Sequence, residues 1–124
     1  MFMADSSLLD HCVVHTATLL EAAKAIEKGT NRTVLVVDSL DTMKVMGVLS
    51  EGDVLRALIR GTDIHSPMKE FVRVQFRYLT EPDDKKALDL FAAHGISLLP
   101  IVDKNMHLKA VVTIIDALRR CASV

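Results

Sequence analysis

Gly47-Val48-Leu49-Ser50-Glu51-Gly52-Asp53-Val54-Leu55-Arg56-Ala57-Leu58 has a counterpart later in the chain, Ala110-Val111-Val112-Thr113-Ile114-Ile115-Asp116-Ala117-Leu118-Arg119. Both stretches run from apolar residues to a hydroxyl, then to an aspartate three residues on, then to an arginine one helical turn further. Each is preceded by a second apolar run ending in aspartate, Val36-Val37-Asp38 in the first copy and Ile101-Val102-Asp103 in the second, with a turn between. A duplication this long decides the architecture before any single residue is weighed. It also places any chemistry in pairs, one element per copy.

Working outward, the flanking segments repeat as well. Leu19, Ala22, Ala23 and Ile26 fall on one helical face, and Thr18 with Glu21 forms a capping box ahead of them. Gly29 stands where a left-handed helix cap is expected. Val34 to Val37 reads as a buried strand, Asp38 to Thr42 as a turn, Val45 to Leu49 as a strand, and Asp53 to Ile59 as a helix ended by Gly61. Pro67 breaks the joining segment. Arg73-Val74-Gln75-Phe76-Arg77-Tyr78-Leu79 alternates polar and apolar residues, which predicts a half-exposed strand. Pro82 and Asp83 then start a helix that Gly95 terminates, followed by strands over Leu98 to Val102 and Leu108 to Val112 and a closing helix from Asp116. Cys12-Val13-Val14 is a short strand at the front. The fold class is therefore α+β, two β-α-β-β-α repeats. The expected divisions are a leader at 1–10, a first repeat at 11–61, a linker at 62–75 and a second repeat at 76–124.

The composition agrees. The chain has 124 residues, 50% of them apolar, but only 4% aromatic and no tryptophan, so its core must be aliphatic. A formal charge of −1 with both signs scattered lacks the basic face of a nucleic-acid binder. No apolar run reaches the length of a membrane span, and nothing at the N-terminus reads as a signal peptide. Two cysteines make no disulfide framework. These features predict a cytoplasmic protein with reduced thiols, bound to neither membrane nor nucleic acid.

At this point the doubled pattern is similar to a tandem pair of cystathionine-β-synthase-type (CBS) domains, a Bateman module, over roughly residues 11–120. His94-Gly95-Ile96-Ser97-Leu98-Leu99-Pro100-Ile101-Val102-Asp103 fits that family's middle segment closely. The stretch from Gly47 to Gly61 also resembles CBS pairs fused to sugar-phosphate nucleotidyltransferases. The resemblance implies two repeats packed with pseudo-two-fold symmetry and a regulatory module, not itself an enzyme. It implies an adenosine-containing ligand, of AMP, ADP or ATP type, in the cleft between repeats. It implies that Asp116 or Asp53 takes the ribose hydroxyls, that Thr113 or Ser50 contacts ribose or phosphate, and that Ile96, Leu98, Leu99 and Pro100 line the adenine slot. It further implies a homodimer and a fused or associated enzyme as partner.

The chemistry suits those residues. A carboxylate accepts two parallel hydrogen bonds, as a ribose diol offers. A helix N-terminus favours a phosphate in front of it, and Arg56 and Arg119 lie within reach of one. Yet Ser50 with Asp53, and Thr113 with Asp116, are capping boxes in their own right, so the same atoms serve either a ligand or the helix end. Ala110 and Leu35 depart from the glycine and proline that Gly47 and Pro100 supply in the other copy. One working site is thus expected, anchored on Thr113 and Asp116. His11, His15 and Cys12 invite a metal reading, but on a strand Cys12 points away from the two histidines and no fourth ligand is evident. No catalytic residue, metal or cofactor is expected. Three functions remain open: an adenine-nucleotide sensor, a sensor of another adenosyl compound such as S-adenosylmethionine or a dinucleotide, and a structural dimerisation module with no ligand.

Overall fold

A computed structural model describes residues 6–29 and 31–122. The elements are α1 (Ser6–Leu9), β1 (Cys12–Val14), α2 (Leu19–Gly29), β2 (Thr33–Val37), β3 (Val45–Ser50), α3 (Glu51–Ile59), α4 (Asp84–His94), β4 (Leu98–Val102), β5 (Leu108–Thr113) and α5 (Ile114–Ala122), with a single 3-10 turn at Met68–Phe71. Of the expected leader, residues 1–5 lie outside the described residues, and so do 123–124 at the end of the second repeat. No described helix is long and apolar enough to cross a membrane.

The duplication in sequence is a duplication in space. In the first copy β1 runs parallel to β2, and β2 pairs antiparallel with β3. In the second copy β4 pairs antiparallel with β5. Both hairpins carry their bulge at the same place, between Val36 and Val37 and between Ile101 and Val102. The repeated aspartates explain the shared turn. Asp38 accepts the backbone N–H of Ser39 at 2.7 Å and of Lys44 at 3.0 Å, and Asp103 accepts those of Asn105 at 2.8 Å and His107 at 3.0 Å. A carboxylate that gathers turn amides substitutes for backbone acceptors the turn cannot supply.

The expected helix face of α2 is buried through Leu19, Ala22 and Ile26. Its capping box forms in both directions, Thr18 N–H to Glu21 Oε1 at 3.0 Å and Glu21 N–H to Thr18 Oγ1 at 3.2 Å. Gly95 ends α4 in the left-handed conformation, φ 63°. Gly29 does not do this for α2. It is the helix's last residue, and a Cβ there would stand 3.1 Å from the carbonyl oxygen of Asp10, so close approach of the incoming chain accounts for that glycine.

The two copies share one interior. Leu35, Val37, Met43 and Val45 of the first pack with Leu98, Val102 and Leu108 of the second. The two hairpin turns also bond to each other, Val45 N–H to Met106 O and Leu108 N–H to Met43 O, both at 2.9 Å. Met43 and Met106 hold matching left-handed backbone, φ 55° and 68°, on the two sides of this pseudo-two-fold. The expected strand over 73–79 does not form. Its ends make single bridges, Arg73 to Val48 and Leu79 to Ile101. Those partners belong to different sheets, so the segment crosses from one sheet to the other and cannot pair along its length.

Candidate functional site

That crossing segment is one wall of a cleft of about 890 Å³ between the copies. The floor and opposite wall come from both repeats: Asn31, Arg32, Thr33, Val48 and Ser50 from the first, His94 to Leu98 and Met106 from the second. Residues 73–78 close the remaining side. The lining separates by chemistry. Val48, Ile96, Leu98 and Met106 are apolar, Phe76 and Tyr78 add an aromatic pair with centroids 5.8 Å apart, and Arg32, Arg73, Arg77 and His94 bring positive or protonatable groups. None of the described residues lining the cleft is an aspartate or glutamate. Such a surface favours a flat, partly apolar molecule that carries negative charge.

Ser50 and Asp53 are placed by the start of α3. Ser50 is the N-cap, its Oγ accepting Asp53 N–H at 3.2 Å, and Asp53 returns the bond by accepting Ser50 N–H at 2.9 Å. The carboxylate is buried and does much more. It accepts Ser50 O–H at 2.9 Å, Arg56 Nη2 at 2.7 Å and Arg73 Nε at 3.0 Å, and Arg73 Nη2 lies 3.0 Å from Oδ1. Burial alone would raise the Asp53 carboxyl. The Ser50 amide, the two guanidiniums and the Ser50 hydroxyl outweigh burial and hold it below the usual carboxylate range.

The residues expected at the site are split. Ile96 and Leu98 line the cleft together with Ser50 of the other copy, while Asp53 lies behind the lining, buried under Ser50, Arg56 and Arg73. Leu99 and Pro100, in the same strand, are buried and do not reach it. Arg56 lies outside the lining and pairs with Asp53. Thr113 and Asp116 are not part of this cleft. Thr113 is buried and caps α5, its Oγ1 accepting Asp116 N–H at 3.2 Å. The half-buried Asp116 stands in electrostatic reach of His11, the residue that follows α1 and its turn. The two carboxylates of the repeat thus have different surroundings, two hydrogen-bonded arginines at Asp53, and the more distant charges of His11 and Arg120 near Asp116. Burial lowers the His11 pKa against the opposing charges of Asp10 and Asp116. Burial likewise pushes the Cys12 thiol up to about 12, and Cys12 packs in the core with its Sγ 3.3 Å from Leu8 O.

Arg32, Arg73, Arg77 and His94 went unassigned by sequence reasoning. The available signal was the spacing of Arg73, Gln75 and Arg77, which an extended chain puts on one face. That face reads as solvent-facing until the fold sets a second wall opposite it.

The CBS domain family model matches residues 10–60 and 85–123, the two repeats. A 17.7 kDa protein of Acidianus ambivalens is 30% identical over 110 residues, which is 88% of this chain; the chain spans 65% of that relative's length. Among solved structures, a CBS domain pair/ACT domain protein from Thermotoga maritima is 27% identical, with a TM-score of 0.73 over 90% of this chain and 87% of the other. A CBS domain protein from Pyrobaculum aerophilum, complexed with AMP, is 24% identical, with a TM-score of 0.72 over 91% of each chain.

Proposed function

The chain belongs to the CBS domain family, and from that premise we propose that it is a regulatory module, not an enzyme, which binds an adenine nucleotide between its two repeats. The observation that carries this reading is the cleft itself. It is built from both copies, its apolar and aromatic walls suit a purine, and its lining carries three arginines and no carboxylate, which suits phosphate, although Arg73 and Arg32 also pair with Asp53 and Glu51 behind it. The AMP bound by the Pyrobaculum aerophilum protein supports the ligand class. A ligand that touches both copies biases their relative arrangement only through unequal affinity for two arrangements. That bias would pass to a fused or associated enzyme.

The apolar residues left exposed on α3 and α5, namely Leu55, Leu58, Ile59, Ile115 and Leu118, favour a homodimer through those helices. They are also the one observation that supports a purely structural module.

Thermal unfolding against AMP, ADP, ATP, S-adenosylmethionine and NAD separates the readings. A ligand at a hundred times its dissociation constant adds about 2.7 kcal/mol, a shift on the order of 4 °C for a domain of this size. The expected result is a shift with an adenine nucleotide. Unchanged melting with all five would leave the dimerisation module as the reading.

A further inference from the structure

Asp53 stands behind the cleft lining, bonded to two residues of that lining, Ser50 and Arg73. A carboxylate has about four lone-pair directions. Here they are taken by the Ser50 amide at 2.9 Å, the Ser50 hydroxyl at 2.9 Å, Arg56 at 2.7 Å and Arg73 at 3.0 Å. Asp53 is also buried, with its side chain only 8% accessible. A ribose diol would have to expel a guanidinium to bond it. Arg73 has the opposite character. Its backbone is fixed to Val48 by two hydrogen bonds, N–H to O at 2.9 Å and O to N–H at 3.0 Å. Its side chain is 59% accessible and lines the cleft, and two of its three nitrogens lie against Asp53. The remaining N–H groups are spare donors on a preset, charged fork.

Resting on the nucleotide reading above, we propose that Asp53 is a positioning residue that holds Arg73 for a phosphate, so that this cleft selects its ligand by phosphate charge and not by ribose hydroxyls. The ligand class this predicts is a purine nucleotide, ribo or deoxy, and not a nucleoside. The first repeat then uses its helix aspartate to orient an arginine, in place of the sugar acceptor that the resemblance implied.

Isothermal titration of the whole chain with AMP, 2′-deoxyadenosine 5′-monophosphate, adenosine and inorganic pyrophosphate tests this without any variant. The deoxynucleotide is expected within about threefold of AMP, since no buried acceptor loses a partner, and adenosine roughly thirtyfold or more weaker, the worth of a charge-assisted contact. Arg73→Gln should remove pyrophosphate binding. Its contacts with Val48 are backbone ones, so circular dichroism is expected to stay close to native, while melting falls because buried Asp53 loses one of its two guanidiniums. Asp53→Asn should narrow the ratio of AMP to adenosine affinity, a readout that loss of a helix cap would not move. A deoxynucleotide more than about tenfold weaker than AMP, with adenosine holding close to AMP, overturns the proposal. So does AMP binding that Arg73→Gln leaves untouched, which would leave the nucleotide reading standing. Pyrophosphate binding through Arg73 with AMP no tighter would sink the nucleotide reading and keep the anion site.

Discussion

Gly47 shows how much one missing methyl group can decide. A Cβ at this position would lie 2.5 Å from both the carbonyl oxygen of Arg73 and Cγ1 of Val72. The backbone that brings Arg73 to the cleft can come this close only because the residue is glycine. The second copy has Ala110 at the same register, opposite Ile101 as Gly47 is opposite Val36. Gly47→Ala is therefore expected to cost about 1–3 kcal/mol by overpacking and to weaken anion binding along with stability. Ala110→Gly should cost only the backbone entropy, about 0.5–1 kcal/mol. Urea unfolding of the two variants checks this, and equal losses would mean the linker does not press on Gly47. Asp53 gives the pH dependence at this scale. Its folded pKa lies below the unfolded value of about 3.9. Such a group binds fewer protons when folded, so its stabilisation is complete above the unfolded pKa and is lost as pH falls through the folded one. Asp38 and the more exposed Asp84 and Asp103 shift the same way. Stability should fall gently from about pH 6.5 toward 5, because His11 binds its proton less readily when folded, and decline more steeply below about 4. In Asp53→Asn the acid decline should be shallower. Parallel declines would mean the Asp53 cluster contributes nothing.

At the scale of elements, the repeat, both hairpins, the α2 face and the caps were legible, because each depends on residues close in sequence. Thr18 with Glu21, and Asp83 before α4, cap their helices as their side chains dictate. Gly29 and Gly95 stand at equivalent places, yet only Gly95 uses its freedom of φ. Gly95→Ala should cost on the order of 1 kcal/mol, because φ 63° is strained for a side chain. Gly29→Ala gains helix propensity and asks the Asp10 carbonyl, 3.1 Å away, to shift slightly, so its melting temperature should stay near native. If Gly29→Ala proved the worse of the two, the approach of residue 10 would be tighter than described. The segment 73–79 was misread for a tertiary reason. Alternation identifies an extended chain but not its neighbours, and here the neighbours belong to two sheets. The site was half legible for the same reason. Of the residues expected there, Ser50, Ile96 and Leu98 line the cleft, while Thr113, Asp53 and Asp116 do not. Which copy's hydroxyl joins which copy's slot depends on the pseudo-two-fold, and that axis is set by contacts such as Ser97 Oγ–H to Asn31 O at 3.0 Å, far apart in sequence.

For the molecule as a whole, the shared interior determines what can exist alone. The hairpin of β2 and β3 buries Val34, Val36 and Leu49 under α2 and α3, against Leu19, Ile26 and Val54. Its other face places Leu35, Val37, Met43 and Val45 against Leu98, Val102 and Leu108. Separating the copies would expose four side chains of the first that are now nearly or fully buried. At about 1.5–3 kcal/mol for each large aliphatic group, the loss is roughly 6–12 kcal/mol, comparable with the whole stability of a small domain. The turn-to-turn hydrogen bonds at Met43, Val45, Met106 and Leu108 would be lost with it. Residues 11–61 made alone should therefore show no cooperative thermal transition by circular dichroism, and mixing with 62–124 should restore one. The same coupling suits the proposed role, because a molecule whose halves fold only together can carry a ligand's push on one wall of the cleft to the surface of the other half. A sharp, native-like melt of the isolated first repeat would show that the halves are independent and leave a cleft ligand without a route to the rest of the molecule.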